Sequence, residues 1–408
     1  MKRLILLALG AFAIGTEGYA IVGLLPDVAA DVGVSVAVAG QLITAFSLAF
    51  AFGSPLLAVA TGGWERKRLL ISSIALFGLF NLIAAFAPNY ATLFLARLGL
   101  ALSAGAFMPA ASAYAVAVTS PERRGRALSV IFSGLTVAML MGAPLGVLVG
   151  NRFGWRSIFF GLAAVSFATM FGLTVSLAPV PNIGTTTLRE RIRIARRPDV
   201  LGALLVTVLF MTGAYTIYTY IAPFLKQAIG LTGNTIAFVL FLFGIGATIG
   251  NLASGSLSDR LGPHRILFTA VLGLAVLFSI ISFSTTDLPS GSARAIIVAA
   301  IGLWGLVGFS FPSAQQTRLT AMAPRLAPIV LSLNASATYF GISLGALLGS
   351  VVVTHHALLD LGWVAAGCEG LAFITLLLTH RTRRSPDCDE TEPSVIEIDS
   401  LATVTTEL

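Results

Sequence analysis

Three charged side chains stand well inside long apolar stretches of this sequence: Glu17, Arg97 and Glu369. Carboxyl and guanidinium groups are the natural carriers of proton and ion-pair chemistry. Placed in hydrocarbon, each costs at least about 2.5–3.5 kcal/mol, so each is a functional candidate by default. Glu17 lies eight residues before Leu25, the end of its apolar run, which puts it roughly 12 Å below that membrane surface at 1.5 Å per residue. Arg97 lies six residues after Ala91, where its run begins, or roughly 9 Å deep. The two depths nearly coincide. Burial disfavours a carboxylate and a nearby guanidinium favours it, so such a pair can bind and release one proton as its surroundings change. A structural reading stands beside each residue. Glu17 can bond Thr16 or a neighbouring helix, and Arg97 can bond backbone carbonyls.

The elements that must position these groups follow from composition. Of 408 residues, 56% are hydrophobic and 11% charged, against about 25% charged in soluble proteins; mean hydropathy is +0.92. That polar surface cannot cover a soluble globule, which excludes a soluble enzyme, a disordered chain and a nucleic-acid binder despite a net charge of +7. Two cysteines make no disulfide framework. Apolar runs of about 20 residues, the length that crosses a bilayer, number twelve, near 4–25, 38–60, 69–87, 91–118, 127–149, 155–177, 201–225, 233–257, 266–284, 294–317, 329–353 and 362–379. Pro55, Pro109, Pro144, Pro223 and Pro312 fall inside or near the run ends, where membrane helices tolerate a kink.

Twenty of the 25 Lys and Arg residues fall in alternate connections, Arg318 and Arg325 counted among them. By the positive-inside rule that side is cytoplasmic, and so are both termini. Lys2 and Arg3 before an apolar run imitate a signal peptide, but the run continues to Leu25 and cleavage would break the even count. The stretch Pro386 to Leu408 holds seven of the 18 acidic residues and no Lys or Arg, so the remaining chain sets 25 basic against 11 acidic residues.

The chain also matches itself. Pro26 and Gly33 correspond to Pro223 and Gly230, Arg68 to Arg265, Pro109 to Pro312, Gly142 to Gly345 and Gly146 to Gly349, the offset drifting from 197 to 203. The expected architecture is all-α: twelve transmembrane helices in two parallel six-helix repeats, over 1–177 and 201–380. A basic linker, 178–200, joins them, and an acidic, disordered tail, 381–408, follows. The linker segment Leu188 to Arg197 reads equally as a basic helix on the anionic inner leaflet or as a solvated charged connection.

Several motifs carry a family resemblance. Gly255-Ser256-Leu257-Ser258-Asp259-Arg260-Leu261-Gly262-Pro263-His264-Arg265 follows the eighth run. It is similar to the cytoplasmic-loop signature of the major facilitator superfamily. The first-half equivalent, Thr61 to Arg68, has Gly62 where the second half has Asp259; Glu65 is its nearest acid. Gly142, Pro144, Gly146 and Gly150 in the fifth run resemble that superfamily's antiporter motif in reduced form. They also suit plain close packing of helices. Gly341, Gly345 and Gly349 repeat the stripe without the proline. With Gly15 to Asp27, Arg97 to Gly105 and Pro121 to Arg126, the chain resembles the twelve-helix drug:proton antiporters. The closest likeness is to the branch of arabinose-type sugar and chloramphenicol exporters.

The resemblance implies an inner-membrane monomer that moves a small-molecule substrate by alternating access, with protons as the coupling ion and no cofactor. It places the first and fourth helices around one cavity, where Glu17 and Arg97 meet directly or through water. The signature residues Gly255, Asp259, Arg260, Gly262 and Arg265 become a cytoplasmic gate. Glu369 falls on a peripheral helix, which favours a structural role. Tyr215 and Tyr218 share a face of the seventh run, where hydroxylated rings suit flat amphiphilic molecules, and Trp304 and Gln315, eleven apart, share one on the tenth; each reads equally as a packing residue or part of an interfacial aromatic belt. The expected function is proton-coupled export, with uptake symport the alternative and a membrane-embedded enzyme a remote one. The sequence has no G-x-x-x-x-G-K-[ST] run for an ATP-driven pump, and its four His assemble no metal set.

Overall fold

A computed structural model describes residues 2–120, 123–180, 188–286 and 289–381. The expected acidic tail from 382 on lies outside them, as do Pro121, Glu122 and residues 181–187 of the linker. The helices are α1 (Lys2–Asp31), α2 (Val36–Ala60), α3 (Arg66–Ala85), α4 (Tyr90–Ala117), α5 (Arg124–Phe153), α6 (Arg156–Ser176), α7 (Leu188–Ala195), α8 (Pro198–Tyr218), α9 (Ile221–Ile229), α10 (Asn234–Leu261), α11 (Pro263–Thr286), α12 (Ser290–Gly308), α13 (Phe311–Met322), α14 (Ala327–Thr354) and α15 (Leu361–Arg381). Among the described residues there is no strand, and twelve helical segments are long and apolar enough to cross a membrane. Their outer faces are fatty: Phe86, Phe171 and Val175 are about 70% exposed, an arrangement suited to lipid and not to water.

Two spans are broken where the sequence suggested only kinks. The seventh divides after Tyr218 and the tenth at Phe309–Ser310. Pro223 and Pro312 lie just beyond these breaks, in the first turn of α9 and of α13. A proline lacks the N–H that the ladder needs and its ring clashes with the carbonyl four residues back. Pro26, Pro55, Pro109 and Pro144 sit inside continuous helices, so α1 runs on past Pro26 to Asp31.

Glycine stripes set the closest helix pairs. On α5, a Cβ at Gly146 would lie 2.9 Å from the Ala20 Cα, and one at Gly142 3.3 Å from the Thr16 Cα. On α14, the Cβ positions of Gly341, Gly345 and Gly349 would fall 2.6, 2.5 and 2.6 Å from the carbonyl oxygens of Val208, Thr212 and Thr216 on α8. Each stripe meets its partner helix at steps of four, so α1–α5 and α8–α14 are equivalent pairs in the two repeats. Helices before α7 meet those after it mainly through α2 with α14 and α5 with α10.

The start of α1 and the end of α15 mark one face of the twelve-span bundle, here termed the basic face. On the opposite face α2 and α14 are sealed together. Ser350 Oγ donates to the Ala37 carbonyl at 3.0 Å, and the Tyr220 hydroxyl, lodged against Gly40, donates to the Ala346 carbonyl at 3.1 Å. On the basic face α7 touches both α2 and α14, and Arg191 donates to Ser332 Oγ at 2.7 Å.

Candidate functional site

The structure brings Glu17 and Arg97 into a direct ion pair, each about 1% exposed. Glu17 comes from α1 and Arg97 from α4, and α2 completes the setting. Arg97 Nε donates to the Leu42 carbonyl at 3.3 Å, and its guanidinium carbon stacks 4.5 Å from the centre of the Phe46 ring. The two alternatives for Arg97 are therefore realised together, since it pairs with an acid and bonds a backbone carbonyl. Guanidinium suits this place because its planar fork serves acid, carbonyl and aromatic face at once. Nearby, Phe50 of α2 stacks on Tyr339 of α14 with centroids 3.8 Å apart, so the ring layer over Arg97 reaches across to the second repeat.

Two residues beyond Glu17, and so about 200° around the helix, Tyr19 lines a small aromatic cavity. Tyr215 and Tyr218 of α8, Phe243 of α10, and Trp304 of α12 line it as well. Trp304 is the centre of the cluster: the rings of Phe278, Phe243 and Tyr218 lie 4.9, 5.1 and 5.9 Å from it, all steeply inclined. Edge-to-face packing of this kind holds rings firmly while presenting faces and hydroxyls. A larger apolar groove between α10 and α12 lies on the flank of the bundle, away from the ion pair, and has the character of a lipid contact.

Gln315 is not at this cavity. The break at Phe309–Ser310 resets the helical phase, so the eleven-residue spacing from Trp304 no longer means one face. Gln315 is fully buried elsewhere, donating to the Ala203 carbonyl at 2.6 Å and to Thr207 Oγ1 at 3.0 Å, while Thr207 donates to Asn334 Oδ1. Arg318 also differs from expectation. The sequence places it with the loop arginines, but α13 extends to Met322 and buries it, with Nη2 donating to Thr379 Oγ1 on α15 at 2.9 Å. Among the 27 Phe and seven Tyr of this chain, nothing in residue type distinguishes Tyr19, Phe46, Phe243 or Tyr339 from ordinary packing residues. Their contacts do: Phe46 lies under Arg97, Tyr339 packs on Phe46 and Phe50, and Tyr19 and Phe243 line the aromatic cavity.

The signature residues end α10. Gly255 approaches Ser313 of α13, its Cβ position 4.0 Å from Ser313 Oγ, and Gly262 follows the helix at φ +84°. Asp259 and Arg260 are exposed, and Asp259 makes no ion pair among the described residues. Arg265 opens α11. Glu65, the nearest first-half acid, pairs with Arg68 on its own turn at 3.6 Å. Gly142, Gly146 and Gly150 face α1, and Pro144 is buried on the same helix, the one that packs against Glu17's own.

Comparison with known proteins decides the family. The description "Major Facilitator Superfamily" matches residues 7–346 and again residues 203–397. This chain belongs to the major facilitator superfamily. Relatives in that superfamily include the uncharacterised MFS-type transporter YbcL of Bacillus subtilis, 30% identical over 381 residues, covering 93% of this chain and 96% of YbcL. The inner membrane transport protein YdhP of Escherichia coli is 32% identical over 390 residues, covering 94% and 97%. Among solved structures, a bacterial homologue of the lysosomal transporter Spinster, inward-facing, superposes with TM-score 0.74 at 17% identity, covering 93% of this chain and 96% of that one. A D-xylose–proton symporter superposes with TM-score 0.75 at 12% identity, covering 93% and 96%. The chain is thus a multi-pass membrane transporter of the secondary, alternating-access kind, and not an enzyme.

Proposed function

We propose that this chain exports small organic molecules, drugs or sugars among them, across the inner membrane in exchange for protons, as a monomer with both termini and the basic face in the cytoplasm. The observation that carries the reading is the buried Glu17–Arg97 pair, whose acid shares α1 with the cavity residue Tyr19. A proton on Glu17 cancels its charge and releases Arg97 to its other partners, the Leu42 carbonyl and the Phe46 face. Those partners lie on α2, the helix that seals the opposite face against α14. Proton binding thereby bears on the contact that must open, and α1 conveys the same event to Tyr19 and any molecule against it. Tyr215, Tyr218 and Trp304 offer that molecule aromatic faces and hydroxyls. The glycine contact of α1 with α5, through Gly142 and Gly146, is the surface on which α1 would move.

The test is efflux of a compound panel from cells lacking other pumps, with and without a proton uncoupler. Export that collapses with the uncoupler, and is abolished in Glu17→Gln while the protein stays in the membrane, is the expected result. Unchanged gradient-driven efflux in Glu17→Gln would sink the coupling role, and accumulation in place of efflux would make the chain an uptake symporter.

A further inference from the structure

Glu369 is the third charge embedded in the spans, and the cavity and ion pair make no use of it. It sits eight residues into α15, about 12 Å from the opposite face. It is fully buried, and neither carboxyl oxygen has a hydrogen-bond partner among the described residues. α15 packs here against α8 and α11. The α8 residue that meets it is Gly213. A Cβ there would lie 2.8 Å from Glu369 Oε1, 2.9 Å from the Ala365 carbonyl oxygen and 3.2 Å from the Cys368 Cβ. So α8 is notched by a glycine that admits the carboxyl, and what crowds the notch is an acceptor oxygen and carbon. An acid O–H can donate to a carbonyl; a carboxylate among acceptors has nothing to receive.

The charged and titratable groups of the surrounding helices give no compensation. On α8, Asp199 is about 21 Å along the helix from Gly213 and bound to Arg197, while Tyr215 and Tyr218 line the cavity. On α11, His264 and Arg265 stand in its first turn, at the basic face. On α15 itself, His380 and Arg381 end the helix about 17–18 Å away, the buried Arg318 of α13 reaches this helix at Thr379, about 15 Å along it from Glu369, and the neighbouring Cys368 thiol brings no positive charge. An isolated carboxylate in such a place neutralises itself by taking a proton.

We infer that Glu369 is a second proton-binding residue of this transporter, holding its proton while α8 lies against α15 and losing it when that contact loosens. α8 is suited to such movement. It carries the cavity tyrosines on one side and the Glu369 notch on another, and it breaks just after Tyr218, where the buried Thr219 hydroxyl has no partner among the described residues. The proton would thereby be tied to the position of a cavity-lining helix in the second repeat, as Glu17 ties one to α1 in the first. The inference rests on the reading of the chain as proton-coupled, but not on the role given to Glu17.

The test uses the full-length protein in liposomes and needs no substrate. Infrared difference spectra across pH should show the carbonyl band of a protonated carboxylic acid at neutral pH. That band should be lost in Glu369→Gln and in Glu369→Leu and kept in Glu17→Gln. Amide hydrogen exchange in α8, corrected for intrinsic rates, should rise with pH in the unaltered protein and become flat in both Glu369 variants. A protonated-acid band that survives Glu369→Gln, or an α8 exchange profile that keeps its pH dependence in these variants, would overturn the inference. Normal gradient-driven transport by Glu17→Gln would instead overturn the role of Glu17 and leave both of these readouts intact.

Discussion

Arg97 is held by three unlike partners, and each asks something different of the side chain. Glu17 needs a positive charge, the Leu42 carbonyl needs a donor, and the Phe46 ring needs a flat cation above it. Removing the guanidinium alone leaves Glu17 as a buried charge without compensation, a loss of about 3–5 kcal/mol. Arg97→Met should therefore lower the melting midpoint of the purified protein in detergent, and the double variant with Glu17→Gln should recover most of the loss. Strict additivity of the two substitutions would show that the pair does not act as a unit. The pairing itself was partly legible in the sequence. Rare charges in apolar runs stand out, and a fixed rise per residue gave them matching depths. Phe46 and Leu42 were not legible, because an apolar side chain and a backbone carbonyl carry no mark of what they touch.

At the scale of helices, small residues and prolines do different work. Gly146 brings α5 against the backbone of α1, where a larger side chain has no space to enter. Gly146→Leu should cost about 1–3 kcal/mol through forced separation of the helices, seen as a lower thermal midpoint in size-exclusion assays. Gly161→Leu, at an exposed place on α6 with nothing within 4 Å of its Cβ position, should be tolerated. Equal loss in both would mean that the stripe has no special packing role. The glycine spacing of four could be read directly as one helix face, yet not which helix it meets. Breaks at Pro223 and Pro312 were hidden for a related reason. In a bundle, neighbours decide whether a proline only bends a helix, as at Pro144, or ends it. That outcome moved Gln315 out of phase with Trp304.

For the whole molecule, the sealed opposite face is one end of an alternating-access cycle, and in it Asp259 is exposed and makes no ion pair among the described residues. Asp259→Asn should slow interconversion between the two ends more than it weakens substrate binding. Fluorescence transfer between labels on the two halves would measure this; a pure loss of affinity would argue against a gate. Orientation is open to a direct check. With the basic face in the cytoplasm, a cysteine replacing exposed His355 should react with a membrane-impermeant maleimide in intact cells, and one replacing exposed Trp64 should not. The reverse pattern would invert the topology. Export as the direction of transport depends on that topology.

By itself the sequence determined that this is a twelve-span membrane protein with an internal repeat, because hydrocarbon thickness fixes the length of a span and leaves charge almost nowhere to hide. It also marked Glu17, Arg97 and Glu369 as the charges that need explaining. Tertiary structure alone decided their company. It joined Glu17 to Arg97 under an aromatic layer from two helices, set Glu369 into a glycine notch on a cavity helix, buried Arg318, and brought Tyr19 to the cavity that Trp304 lines. Such contacts depend on helix rotation, on breaks and on the crossing of elements some two hundred residues apart, none of which a one-dimensional pattern of hydropathy encodes.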